Sequence, residues 1–209
     1  MSQLISKQEA LQHFYETYVR DQWQYDFVVI NERYSEQRES IEHGLISAFH
    51  DLCMQAYEQQ EQGIKGDIHY MYISFLRTSM MQQSSTYRFD AYDEQWFLDR
   101  TECSKMWQAD FIFDPLFRTI DHLERKKGDY ARKVTSMDIE HMVQLEALKY
   151  HVLVVEFMKS MVPALLNCKG FQQMAKSTQL KLFVGEYRDQ CELLHEYNES
   201  LEGADHGYE

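Results

Sequence analysis

The sequence predicts a mainly α-helical protein, a helical bundle around one long central helix at about 135–167, with a small antiparallel β-hairpin or three-stranded meander at about 67–100. Three observations carry that reading. Thr135 to Cys168 is apolar over enough length to form a helix buried on most sides, and no glycine interrupts it. Apolar residues recur at three-, four- and seven-residue steps on either side of it, the spacing of one helix face. Between Tyr87 and Tyr92 the period switches to two, the spacing of a strand with one buried face.

Taken in order, Ser6 and Glu9 have capping-box spacing, and Leu11, Phe14, Tyr15, Tyr18 and Tyr25 continue as the apolar face of a first helix ending near Ile30 or Asn31. A second helix is expected from about Ser35 to Gln62, with Ile41, Leu45, Phe49, Leu52 and Ala56 on one face and Gly63 as its stop. The short connection predicts an antiparallel pair. From Asp67 to Arg100 aromatic and branched residues dominate. They predict a hairpin looped at Ser79 to Thr86 and a short third strand at Trp96 to Asp99, with a helix over Ile68 to Leu76 as the alternative.

Asp114 and Pro115 then read as an N-cap and a first-turn proline, and Gly128 as the end of that helix. Thr135 and Asp138 cap the central helix, and Pro163 predicts a kink or an end near Met161 to Val162. Leu180, Val184, Tyr187, Cys191, Leu194 and Leu201 keep a seven-residue pattern, which predicts a last helix along the central one. The polar tail 203–209 is expected to be disordered. Two prolines and no Gly/Ser-rich linker in 209 residues predict a single domain, with Glu58 to Gly66 as its weakest seam.

Composition excludes several classes. With a net charge of −13, the chain lacks the clustered Lys and Arg that hold nucleic acid by its phosphates. Glu156 and Lys159 interrupt the most apolar run, and each would cost about 2.5 to 3.5 kcal/mol at a bilayer centre, so no membrane span is expected. Cys53, Cys103, Cys168 and Cys191 form no C-x-x-C pair and read as reduced thiols, and Met1 to Gln12 has no continuous apolar core. These features predict a cytoplasmic protein.

No phosphate loop, dinucleotide fingerprint, nucleophile elbow or H-E-x-x-H is present, and no glutamate is followed three residues later by histidine as a di-iron bundle requires. His43 and His50, seven apart, are too distant for a compact ligand pair, and Asp90, Asp93 and Asp99 fall short of a calcium-type oxygen shell. No catalytic residue, metal ligand or cofactor is therefore assigned, and a binding role is favoured over an enzyme. The candidate binding residues are Arg77, Arg88, Asp90, Tyr92 and Trp96, because arginine and aromatics clustered on one hairpin dominate binding energy where they meet a partner. On the central helix, Glu140, Gln144 and His151 lie opposite the stripe of Asp138, Lys149, Glu156 and Ser160, and are expected to form an inward polar line. Two functions fit: an acidic interaction module that inhibits or neutralises a basic protein, or a small-molecule-binding protein or enzyme with a pocket between the hairpin and the central helix.

Overall fold

The computed structural model describes residues 6–187 and 191–198. The chain is mainly helical and carries a five-stranded mixed sheet, larger than the hairpin or meander expected. Helix α1 is Lys7–Tyr18 and α2 is Gln22–Glu61. Strand β1, Ile68–Phe75, is followed by the single helical turn α3, Arg77–Met80, and by β2, Thr86–Tyr92. Strand β3, Ser104–Gln108, leads into α4, Asp110–Lys126, and α5, Ser136–Leu166. Short α6, Lys169–Gln173, precedes β4, Lys176–Glu186, and β5, Cys191–Glu196.

The chain divides into two compact units, one of residues 1–38, 77–85 and 109–154, the other of 39–76, 86–108 and 155–209. Two of the five divisions, at 38/39 and 154/155, fall inside α2 and α5, and the other three beside the ends of β1, β2 and β3. One lies beside Gln37, whose φ −120° and ψ 22° break α2. That kink replaces the turn expected at Asn31 to Ser35. A second break, at 19–21, separates α1 from α2.

The first unit is helical. Ser6 closes the expected capping box with Glu9, and the Thr135 and Asp138 side chains cap α5 reciprocally. Helix α4 begins at Asp110, one turn before the expected Asp114 and Pro115. Its start is set by the Ala109 N–H on the Ser85 carbonyl and by Ser85 Oγ on Asp110 at 2.5 Å, while Asp114 pairs with Arg33. Tyr150 donates to Asp26 at 2.5 Å inside the core, and Asp26 also accepts from Gln22. Burial raises the Tyr150 pKa far above the ordinary phenol range, and Asp26 raises it further, so the hydroxyl stays a donor. Tyr150→Phe is expected to cost about 1.5 to 3 kcal/mol, because a buried carboxylate loses a partner. A urea midpoint equal to wild type would remove that bond from the stability of this unit.

The second unit holds the sheet, ordered β3-β2-β1-β4-β5. Strand β1 pairs antiparallel with β2 and parallel with β4, while β2–β3 and β4–β5 are antiparallel. One face carries Met71, Ile73 and Phe75 beside Ala91, Phe89 and Tyr87, all at most 1% exposed. Residues 39–61 of α2, 155–166 of α5, and α6 supply buried partners such as Leu45, Phe49, Leu52, Met158, Leu165 and Phe171. Trp107 of β3 stacks on Phe157 at 6.2 Å, and Phe49 on Phe171 at 6.0 Å.

Two strand predictions need correction. Trp96 to Leu98 is a 3₁₀ turn rather than a third strand, and the third strand is Ser104–Gln108. The expected last helix is β4 and β5. Leu180 and Val184 fit a helical stripe, but Leu180, Leu182 and Val184 also alternate with Lys181 and Phe183, and burial follows the alternation. Residues i and i+4 share a face in either conformation, so the spacing alone did not decide. Leu201 and the tail 203–209 lie outside the described residues. Helix α5 runs through Pro163 to Leu166, within a residue of the expected 167, and does not end at Met161 to Val162.

The inward polar line is also corrected. Glu140 and Gln144 are exposed and His151 is half-buried. The carboxylate that α5 buries is Glu146, 4% exposed, which accepts from Tyr15 at 2.8 Å and pairs with Lys149 at 2.7 Å. A single wet stripe assumes one environment throughout α5. In fact Leu145, Leu148 and Val152 are exposed in its first half, whereas Val154, Met158, Met161 and Leu165 are buried further on.

Candidate functional site

The second face of the sheet is the candidate site. By register, Tyr70, Tyr72 and Ser74 stand opposite Tyr92, Asp90 and Arg88, with Phe183 beside Tyr72 on β4. Alternation therefore sends Arg88, Asp90 and Tyr92 to this face while Tyr87, Phe89 and Ala91 enter the core, as the sequence predicts.

Over this face folds the segment Asp93 to Thr101. Its shape is set by two carboxylates. Asp93 accepts from the Gln95 N–H at 2.9 Å, and Asp99 accepts from the Thr101 N–H at 2.9 Å and the Asp93 N–H at 3.3 Å. Asp99 also pairs with Lys65 at 2.5 Å, the two side chains being 3% and 0% exposed. Lys65 donates in addition to the Thr101 carbonyl at 3.0 Å. At the apex Trp96 has φ 55°, a left-handed conformation that bulky residues adopt at a cost of about 1 to 3 kcal/mol. Such strain persists where surroundings enforce it and is concentrated at ligand sites. Here Trp96 Nε1 donates to the Tyr72 hydroxyl at 2.9 Å, and the indole stacks on Phe97 at 4.8 Å.

The result is an aromatic cluster. Tyr72 stacks on Phe183 at 4.9 Å, and the rings of Tyr72, Tyr92 and Phe97 meet pairwise at 6.0, 5.5 and 5.4 Å. Burial raises the Tyr72 pKa, against the lowering by the Trp96 N–H, so its phenol is neutral at physiological pH. Tyr72, Tyr92, Trp96 and Phe97, with Ser74, Asp90, Glu186, Tyr187 and Cys191, line a cavity of about 540 Å³. That volume lies within the range of small-molecule sites, roughly 300 to 1,000 Å³. Trp96, Phe97, Tyr187 and Leu193 remain partly exposed around it, an apolar patch of the kind that marks interaction sites.

The electrostatics are asymmetric. Both oxygens of Asp90, 3% exposed, accept from Arg88 Nε at 2.8 and 3.0 Å, and the terminal Nη2 of Arg88 donates to Glu102 at 2.9 Å. Burial opposes the Arg88 charge, but these carboxylates outweigh it and raise its pKa. Arg88 is thus paired along its own strand and to a neighbouring loop. The Arg88 guanidinium sits 5.7 Å from the Tyr187 ring centroid. The described lining includes the carboxylates of Asp90 and Glu186 but no lysine or arginine.

Of the predicted binding residues, Asp90, Tyr92 and Trp96 line the cavity and Arg88 buttresses it. Arg77 does not; it is exposed on α3, in the other unit. Glu140 and Gln144 border a separate cavity of about 190 Å³ in the helical unit. No residue of α5 lines the 540 Å³ cavity, so the pocket is not the one expected between the hairpin and the central helix. Sequence reasoning missed Tyr72, Phe97, Glu186 and Tyr187. The first two were legible as aromatics beside the hairpin, while Glu186 and Tyr187 were hidden by the reading of 180–201 as a helix.

Among the described residues no three His, Cys, Asp or Glu side chains converge as a metal site. No helix among them is long and apolar enough to cross a membrane. Comparison with protein-family models, curated proteins and solved structures finds no match for this chain.

Proposed function

We propose that this is a binding protein whose ligand occupies the aromatic face of the sheet, and that the ligand carries an alkylammonium group. The observation that carries this is the cavity lining: Tyr72, Tyr92, Trp96 and Phe97 around a space bordered by Asp90 and Glu186. Aromatic faces attract cations by about 0.5 to 2 kcal/mol each, more when water is excluded, and the Glu186 carboxylate on the lining adds Coulomb attraction, the Asp90 charge being shared with Arg88. A net charge of −13 draws cations toward the protein as a whole. The volume suits a free organic cation. The same chemistry is offered by a lysine side chain on a basic partner, the interaction expected from composition. Reduced thiols are in keeping with a cytoplasmic setting for either source.

The test is a titration followed by tryptophan fluorescence, with tetramethylammonium and choline as free cations, a lysine-rich peptide as the protein-borne source, and 3,3-dimethylbutanol as the neutral isostere of choline. Saturable quenching by choline, weakened about tenfold for the alcohol and by Trp96→Ala, is the expected result. If only the peptide binds, the source is a basic protein. Equal affinity for choline and the alcohol would remove the charge from the proposal, and signals unchanged by Trp96→Ala would move the site elsewhere.

A further inference from the structure

The floor of the aromatic cavity is laid out by strand register. Across β2, β1, β4 and β5, Arg88, Ser74, Gly185 and Cys191 align in one row, next to the row of Asp90, Tyr72, Phe183 and Leu193. Alternation turns both rows to the same face. The stacked rings of Tyr72 and Phe183 fill the centre of their row. In the other row the Arg88 side chain is drawn to Asp90 and Glu102, which leaves a serine, a glycine and a cysteine on the floor. Ser74 is 5% exposed and lines the cavity, and no described residue hydrogen-bonds its hydroxyl. Buried polar groups of native proteins are paired with protein, water or ligand, so the Ser74 hydroxyl calls for a polar group inside the cavity.

We infer that the ligand is an amino alcohol, its ammonium held against Tyr72, Tyr92, Trp96 and Phe97 and its hydroxyl bonded to Ser74. This rests on the alkylammonium reading above and adds the second group that the ligand carries. The lining decides the chemistry of that group. It presents Glu186 and the Asp90 carboxylate but no lysine or arginine, so a carboxylate or phosphate on the ligand would enter unpaired beside negative charge. A plain alkyl end would leave the Ser74 hydroxyl unsatisfied. An alcohol is neutral and both donates and accepts, so it bonds Ser74 in either sense. The reach is short: Ser74 lies two residues beyond Tyr72 on the same face of β1, about 7 Å along the strand, which an arm of about two or three carbons and one hydrogen bond can span.

The experiment titrates the full-length chain in a calorimeter with choline and with propyltrimethylammonium, in which a methyl group replaces the hydroxyl. Homocholine and butyltrimethylammonium form the same pair with a longer arm, and glycine betaine carries a carboxylate instead. At least one alcohol should bind about fivefold to tenfold tighter than its alkyl isostere, the worth of one net hydrogen bond, with betaine weaker than either alcohol. In Ser74→Ala that ratio should fall to about one, whereas in Trp96→Ala both affinities should fall together with the ratio kept. Ser74→Ala removes a hydroxyl that no described residue bonds, so its urea midpoint should be no lower than wild type, which separates loss of recognition from loss of fold. Saturable binding of all four cations with both ratios near one would leave the alkylammonium reading standing and overturn the amino alcohol. A ratio that survives Ser74→Ala would overturn the role of Ser74, and betaine binding tighter than choline would overturn the neutral floor. No saturable binding of any of them, with tetramethylammonium also silent, would overturn the alkylammonium reading and this inference together.

Discussion

Asp99→Ala is expected to destabilise the sheet unit by about 3 to 5 kcal/mol, the cost of removing one partner of a buried ion pair and stranding the other charge. Lys65 Nζ has the Asp99 carboxylate at 2.5 Å and the Thr101 carbonyl at 3.0 Å, and its side chain is 0% exposed, so the lost anion leaves a buried ammonium with one carbonyl partner. The urea midpoint reports the loss. Because most of it is the stranded charge, the double variant Lys65→Met, Asp99→Leu should recover much of the stability. A double variant as unstable as the single one would show instead that the backbone bonds of Asp99 carry the effect. The pH dependence has a defined sign. Burial alone would raise the Asp99 pKa, but Lys65 and the Thr101 and Asp93 N–H groups outweigh it and hold the carboxyl below its ordinary value. The folded pKa being depressed, this contribution is full above the unfolded value of about 3.9 and is lost as pH falls through the lower folded value. Wild type should therefore lose stability on acidification below about pH 4 more steeply than the variant.

The same pair connects stability to the proposed site. The segment it anchors carries Trp96, strained at φ 55°, and Phe97 over Tyr72. Asp99→Ala should therefore weaken choline binding even under conditions where the chain remains folded, although neither Lys65 nor Asp99 lines the cavity. Retained affinity in the folded variant would show that the aromatic turn holds its place through ring contacts alone.

Sequence pattern was most reliable where one period had one explanation. Tyr87 to Tyr92 alternates strictly, and its two faces, core and site, were both readable before any coordinates. The caps at Ser6 and Thr135 and the stop at Gly63, φ 69°, follow from backbone chemistry that is local in sequence. What escaped was non-local. Strand β4 pairs in parallel with β1 more than 100 residues earlier, and nothing near Leu180 announces that partner. The packing at Gly170 was equally hidden: His50 and Cys53 are one turn apart on α2, but Gly170 reaches them only through the fold. Lys65 and Asp99, exposed residues by type, became core through each other.

Gly170→Ala is expected to cost about 3 kcal/mol, at the upper end of what one added carbon does in a packed interior. The new Cβ would lie 2.6 Å from the His50 carbonyl oxygen, 2.9 Å from His50 Nδ1 and 3.1 Å from Cys53 Cβ. The nearest of these is helix backbone, which cannot swing aside as a side-chain end can, so α6 must move away from α2. Gly63 provides the contrast. Its φ of 69° disfavours alanine by conformation, yet nothing stands within 4 Å of its Cβ position, and about 1 kcal/mol is expected. Displacing α6 also stretches the Gly170 N–H bond to His50 Nδ1. Gly170→Ala should thus lower the urea midpoint. An unchanged midpoint would mean that α6 accommodates the methyl group without displacing its neighbours.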